Sequence, residues 1–442
     1  MDNSSTGDSI CHLVDRGRRV RMVSISSFFY PFGVGSEPKP SSGRLTDHVA
    51  LGVLSSLIRR DLVDEVIAEC GKREKRSRLL PAHVVVYYVL ALNLFFGEAY
   101  EEVMRKLVAG LRFLRNWDSA WTIPTTSAIS QARARLGAEP LKRLYERVAV
   151  PLAGRGIPGA WFGGYRVMAV DGVVLDVPDT PDNETEFGRL GGKDNPRPFP
   201  QVRVIGLAEC GTHAITDARL GPITSSEQDL AMELLAGVDA TMIMLADRGF
   251  YSYDLWHAAV ERGAQLLWRV SANVKLPVRE VLPDGSYLSY LIDTKTRRRT
   301  YYMDEARAEQ LLIREGTIVR VVEYQVENRE TKGEIYCLIT TLLDPMMAPA
   351  VELAALYNRR WEFELALDEI EIHQTGHSRV LRSKSPELIK QEIWSLLLTH
   401  YAIRHLMTQA ADTVEYDSER ISFIRSVRAV RRQVNGTAGF SP

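Results

Sequence analysis

Cysteine is scarce in this sequence. Four residues in 442, Cys11, Cys70, Cys210 and Cys337, lie far apart. No CxxC pair exists, so neither a zinc knuckle nor the disulfide framework of a small secreted domain is indicated, and a reducing cytoplasm is expected. Long apolar runs are also lacking. The longest, residues 84–96 (VVVYYVLALNLFF), contains Asn93 and falls short of the about 20 residues of a membrane-spanning helix, so it reads as a buried helix and no membrane contact is expected. The stretch holding Arg16, Arg18, Arg19 and Arg21 has no apolar block of the kind a secretory signal needs. Nor does either charge dominate: Lys plus Arg number 55 and Asp plus Glu 56, for a net charge of -1. That balance excludes a uniformly basic coat but leaves room for a basic stripe beside an acidic centre.

What is present is a soluble globular composition, 45% hydrophobic and 25% charged. The length suggests about three units. Residues 1–43 are rich in Ser, Gly and Pro without periodicity and read as disordered. Residues 44–157 carry helical patterns, as where Leu62, Val63, Val66 and Ile67 share a face, and are expected to form an all-helical domain. After Pro158 short β-type runs appear. Two of them, 166–170 and 173–177, together with 201–207, predict an antiparallel meander. Strands and helices then alternate to residue 270, as in a sheet with parallel neighbours. The interval 271–343 returns to β-type runs and reads as an all-β insertion, a long helix is expected over 351–373, and further helix to 411. Residues 158–270 and 344–411 thus predict an α/β catalytic core, a mixed sheet flanked by helices, with 412–442 as a basic tail.

Three acidic residues stand where this architecture would gather them. Asp171 and Asp247 each follow an apolar strand, and Glu364 lies on the long helix. Residues just past strand ends line the functional edge of such sheets, and an all-oxygen cluster suits Mg²⁺, with Mn²⁺ as a substitute. On the helix, Tyr357, Arg360, Glu364 and position 371 share a face; a guanidinium there can hold two phosphate oxygens. Taken alone, Asp171-Gly172 is an ordinary turn pair; the conjunction carries the weight.

The fragments DGVVLDVPDTPDNETEFGR, QVRVIGLAECGTHAI, LADRGFYSYDLW and YNRRWEFELALDEIE resemble those of bacterial insertion-sequence transposases of the DDE type. They are most similar to the insertion-element-four family, whose helix signature is Tyr-x2-Arg-x3-Glu-x6-Lys. The resemblance covers roughly residues 44–430. It implies a ribonuclease-H-like core in which Asp171, Asp247 and Glu364 bind divalent metal, with Tyr357 and Arg360 contacting transposon-end DNA. It implies double-stranded DNA as partner, both inverted repeats and target, a dimer in the synaptic complex, cut-and-paste movement with a hairpin as one route, and a bacterial, nucleoid-associated location. One position departs: Glu371 stands where the signature has Lys. Either Arg379, Arg382 and Lys384 take over, or the copy is degenerate and binds DNA without cutting. A metal hydrolase of small phosphoesters, needing the carboxylates alone, is a third reading.

For DNA contact, Arg133 and Arg135, with Lys142, Arg143 and Arg147, follow the polar helix start Pro124-Thr125-Thr126-Ser127, which could set a helix end on phosphates. Arg248 and Arg269 adjoin the second aspartate's strand and the next one. Arg297, Arg298 and Arg299 crowd one turn of the insertion, and Arg425, Arg428, Arg431 and Arg432 recur at helical spacing. Trp256, Trp268 and Trp361 read as core residues, and His373 with His377, lacking the glutamate of a zinc protease motif, as no metal pair.

Overall fold

A computed structural model of the chain describes residues 52–76, 78–109, 123–192, 195–325, 335–374, 380–413 and 420–435. The segment 1–43 and Arg379 lie outside them.

Helices come first: Arg60–Glu69 (α1), Ala82–Leu94 (α2), Tyr100–Ala109 (α3), Thr126–Leu136 (α4) and Glu139–Val148 (α5). α2 is the apolar run noted above, and all of its residues are buried. A helix enclosed on every side needs no polar stripe. Its polar groups are satisfied internally: the Tyr87 hydroxyl donates to the Ile58 carbonyl, and Asn93 to Ser395 Oγ at 2.6 Å.

The sheet region follows, with Trp161–Phe162 (β1), Tyr165–Asp176 (β2), Pro181–Phe187 (α6), Gly191–Gly192 (β3), Asn195–Pro196 (β4), Gln201–Glu209 (β5), Ala214–Pro222 (β6), Glu227–Leu234 (α7), Met242–Ala246 (β7), Tyr253–Glu261 (α8) and Gln265–Val270 (β8). In space the strands run β6-β5-β2-β7-β8. β2, β5 and β6 are antiparallel neighbours, whereas β2 with β7 and β7 with β8 are parallel. A meander followed by two parallel strands, each reached over a helix, is the ribonuclease-H-like arrangement. The two runs expected at 166–170 and 173–177 are one strand, because Gly172 continues the ladder opposite Ile205 instead of turning.

The insertion is not all β. It holds Glu280–Val281 (β9), Tyr287–Leu291 (β10), two helices, Thr294–Tyr301 (α9) and Glu305–Glu315 (α10), then Thr317–Gln325 (β11) and Ile335–Thr340 (β12). Asp293 and Asp304 cap the two helices through the amides of Thr296 and Arg307, so the charged stretches read as turns are capped helices. The strands form no separate sheet: the order continues β8-β12-β11-β10-β9.

The expected long helix is Ala350–Tyr357 (α11), a 3₁₀ turn Asn358–Arg360, Trp361–Asp368 (α12) and a π turn Glu369–Gln374. Pro386–Thr413 (α13) and Phe423–Asn435 (α14) complete the chain. The stretch assigned to a basic tail therefore contains a packed helix, which buries Phe423, Val427, Val430 and Val434. One apolar cluster unites the N-terminal helices, α13, α14 and one face of the sheet; a second fills the other face under α7 and α8. Helices α1–α5 thus share their core with the sheet.

Candidate active site and nucleic-acid surface

Asp171 and Asp247 are placed by strand pairing. β2 and β7 run parallel in register as far as Val170 opposite Ala246, so the next residue of each strand is an aspartate, on neighbours about 4.8 Å apart. Asp247 lies just past the end of β7, where a turn closes with the Phe250 amide donating to the Asp247 carbonyl at 3.0 Å. Asp171, expected at a strand end, lies within β2 and pairs with Gly206 of β5.

That glycine brings the third acid near. A Cβ on Gly206 would lie 2.9 Å from Phe363 Cζ, so the absence of a side chain lets α12 settle on β5 and carries Glu364 over Asp171. Arg360 then ties the two acids. Its Nη1 donates to Asp171 Oδ2 at 2.8 Å and its Nη2 to Glu364 Oε1 at 2.9 Å. One donor of this guanidinium is spare: Nε is buried with no hydrogen-bond partner. Tyr357 donates its hydroxyl to Asp247 Oδ1 at 3.2 Å. Arg269 stands 3.8 Å from the same oxygen and stacks on the Tyr336 ring. The contacts thus form two sets, Arg360 with Asp171 and Glu364, and Tyr357 and Arg269 with Asp247, brought side by side by the pairing of β2 with β7.

Burial pushes the Asp171 carboxyl above the usual carboxylate range; the Gly172 amide and Arg360 oppose this, while Glu364 and Asp247 add to it by like charge. Burial also raises the Tyr357 hydroxyl, helped by Asp247, so it stays protonated and donates. The donor set is all carboxylate oxygen and suits a hard divalent cation. Among the described residues no three such side chains close on one point; Arg360, between Asp171 and Glu364, supplies the positive charge there. In donor chemistry the acids fit a divalent ion, with Asp171 and Asp247 as the paired edge.

Trp361, expected in the core, is 51% exposed beside Arg360, while Trp256 and Trp268 are buried edge to face. Glu371, half-buried, lines a small apolar cavity with Val173, Phe363 and Leu397, so this residue of the signature faces the helix–sheet seam. His377 lies outside the described residues.

The expected DNA-binding arginines divide sharply. Arg133 is 1% exposed. Its guanidinium donates to Gln391, Tyr100 and Ser383 at 2.8–2.9 Å, so it serves the interior and cannot reach a duplex. Arg382 is half-buried, donates to the Glu98 carbonyl at 2.6 Å and lies over the Tyr100 ring. Lys142, Arg143 and Arg147 pair with Glu146, Glu139 and Glu69. The start of α4 is also occupied, since Glu101 accepts from the Thr126 amide. Arg135, Arg248 and Lys384 are exposed. In the basic stretch KREKRSR (72–78), which carries no helical spacing to single it out, residues 72–76 and Arg78 join Arg135 in lining a cleft; its charge density is the one sequence signal that marks it.

A model of the insertion element 4 transposase N-terminal region matches residues 48–146, and a transposase DDE domain model matches residues 162–401. The chain is 29% identical over 390 residues to transposase InsG for insertion sequence element IS4 of Escherichia coli (strain K12), covering 88% of this chain and 84% of that protein. It is 28% identical over 199 residues to the putative transposase InsZ of the same strain, covering 45% of this chain and 63% of that protein. Among solved structures, a piggyBac transposase synaptic complex with hairpin DNA aligns with 87% of this chain and 80% of that one, at a TM-score of 0.47 and 9% identity.

Proposed function

Because this chain belongs to the transposase DDE-domain family, an insertion-sequence transposase family whose chemistry depends on divalent metal, we propose that it binds the terminal inverted repeats of its own element, cleaves DNA there and joins the freed 3′ end to target DNA. The observation that carries this reading is that Arg360 holds Asp171 and Glu364 while Tyr357 holds Asp247, with Asp171 and Asp247 next in line on paired parallel strands. Small-phosphoester hydrolysis would need the carboxylates alone.

In this reading Asp171, Asp247 and Glu364 hold two Mg²⁺ ions, with Mn²⁺ as a substitute. When bound, the ions would activate the attacking oxygen and stabilise the leaving one. The chain's own residues do the positioning. Tyr357 fixes the Asp247 carboxylate by donating to it, and Arg269 sets a second positive charge beside it. Arg360 holds Asp171 and Glu364 through its planar fork and sets positive charge beside the place where a scissile phosphate must lie against the carboxylates. Arg248 and Lys384, both exposed, are assigned to the duplex backbone, and a dimer to the synaptic complex. No described helix is long and apolar enough to cross a membrane.

The test is a plasmid bearing the element's ends, incubated with the full chain and Mg²⁺. Nicking at the ends and strand transfer are expected, with Asp247→Asn lowering both about 1,000-fold while end binding persists. Strand transfer by Asp247→Asn at the wild-type rate defeats the assignment.

Glu371 supports a second reading, a chain that binds ends without cutting them. Since Glu371 lines the helix–sheet seam, Glu371→Lys is expected to change cleavage by less than about threefold; cleavage that appears only in Glu371→Lys establishes the second reading.

A further inference from the structure

Residues 72–76 and Arg78, between the end of α1 and the start of α2, belong to no helix or strand. Lys72, Arg73, Lys75, Arg76 and Arg78 meet Arg135, from the last turn of α4, around one cleft of about 350 Å³. Six cations on one surface repel one another, and proteins ordinarily intersperse acids among them. Here the lone acid, Glu74, is committed elsewhere: its carboxylate accepts from the Ala82 amide at 3.0 Å and caps α2. Lys72 donates to the Arg135 carbonyl at 3.3 Å, fastening the loop to the end of α4. Arg73, Lys75, Arg76 and Arg78 have no acid partner among the described residues, in contrast to the paired basic residues of α5. Concentrated positive charge without internal compensation needs an external polyanion.

The cleft is connected to the carboxylates through the fold. The Ala138 amide, just past α4, donates to Glu387 at the start of α13, and the Leu381 amide donates to the Asp176 carbonyl at the far end of β2. Asp176 is five residues along that strand from Asp171, about 17 Å.

We infer that Lys72, Arg73, Lys75, Arg76, Arg78 and Arg135 form a clamp for the phosphate backbone of duplex DNA, holding the duplex by charge and not by base sequence. This rests on the DNA-cutting reading above and adds to it where the duplex is held. The end of α4 that serves is the one opposite to the polar start expected to do so.

The experiment uses the full chain and two duplexes of equal length, one with the element's end and one scrambled, with affinity measured across a salt series. For Arg73→Ala/Lys75→Ala/Arg76→Ala the slope of log K against log salt is expected to fall by about 2.7 on both duplexes, near 0.9 for each phosphate no longer neutralised. Affinity should drop at least tenfold at low salt, with the melting temperature unchanged. The charge-retaining Arg73→Lys/Arg76→Lys should keep the wild-type slope. Removing Arg59, Arg105 and Arg307, each already paired with an acid, should alter the slope by less than one. A wild-type slope in the triple alanine variant overturns the clamp. So does a loss confined to the end duplex, which would mean base reading, or tighter binding of single-stranded RNA with the same loss of slope. If the wild-type chain binds neither duplex, the DNA-cutting reading itself fails, a result distinct from wild-type binding that the variant retains.

Discussion

Arg360 reaches Asp171 across 189 positions of sequence, with Nη1 2.8 Å from Oδ2, while its second terminal nitrogen holds Glu364 four residues along the same helical segment. Replacing it with Gln removes a positive charge that favours the ionised form of Asp171. The carboxyl, already raised by burial, should rise further, and the acid limb of the pH–rate profile should move to higher pH. Arg360→Lys keeps the charge but loses the fork, and cleavage should fall about 100-fold. A pH profile of Arg360→Gln whose acid limb coincides with wild type would contradict this coupling.

Gly206 decides how closely α12 approaches the sheet. With a Cβ placed 2.9 Å from Phe363 Cζ, Gly206→Ala must displace a buried ring, and overpacking of this kind costs about 1–3 kcal/mol. Glu364 follows Phe363 directly, so cleavage should fall more than tenfold while end binding changes less than about twofold. Single-turnover cleavage and duplex titration on the same preparation separate the two effects.

Arg133 tests the difference between a buried and a DNA-facing arginine. Arg133→Ala strips donors from Gln391, Tyr100 and Ser383 and should destabilise the fold by about 3 kcal/mol, read from denaturant unfolding. The salt slope of DNA binding by the folded fraction should not change. A slope lowered by about one, with stability intact, would return Arg133 to the DNA surface.

Behind the π turn, Glu369 accepts from His400 and Arg404, and Arg404 lies 2.6 Å from His213 Nδ1. Burial lowers His213 to about 3, with Arg404 adding to it, and lowers His400 as well. In the unfolded chain both histidines take up protons below about 6.5, while in the folded chain His213 does so only near 3 and His400 below its ordinary value. The unfolded state binds more protons across that window, so stability should fall as pH drops from 6.5. Glu369, held low by His400 and Arg404 against the burial that raises it, adds a loss below its ordinary value. The melting temperature should drop steadily between pH 7 and 5, and His213→Asn should flatten that slope; an unchanged slope in the variant removes His213 as its source.

Much of this site is legible in the order of amino acids alone. Apolar runs ending in Asp171 and Asp247 place two strands, and the spacing of Tyr357, Arg360 and Glu364 places one helical face. What escapes is non-local. Gly172 looks like a turn residue because its role, making room for Ile205 on the next strand, depends on a partner outside its own run. The burial of Arg133 depends on residues 250 and 258 positions away. The helices of the insertion are short and highly charged, and only their aspartate caps mark them off from turns. Trp361 reads as core because tryptophan usually is, yet it is half exposed beside Arg360.

The unbroken sheet has a further consequence. β12 lies against β8 through Cys337–Thr340, so the insertion's strands shield an outer edge of the core. A chain trimmed of residues 271–343 would not be a minimal catalytic core. It would bare a row of unpaired amides and carbonyls along β8, a template for strand-to-strand association between molecules. In such a shortened protein, insolubility would report a missing neighbour, with the catalytic fold itself still sound.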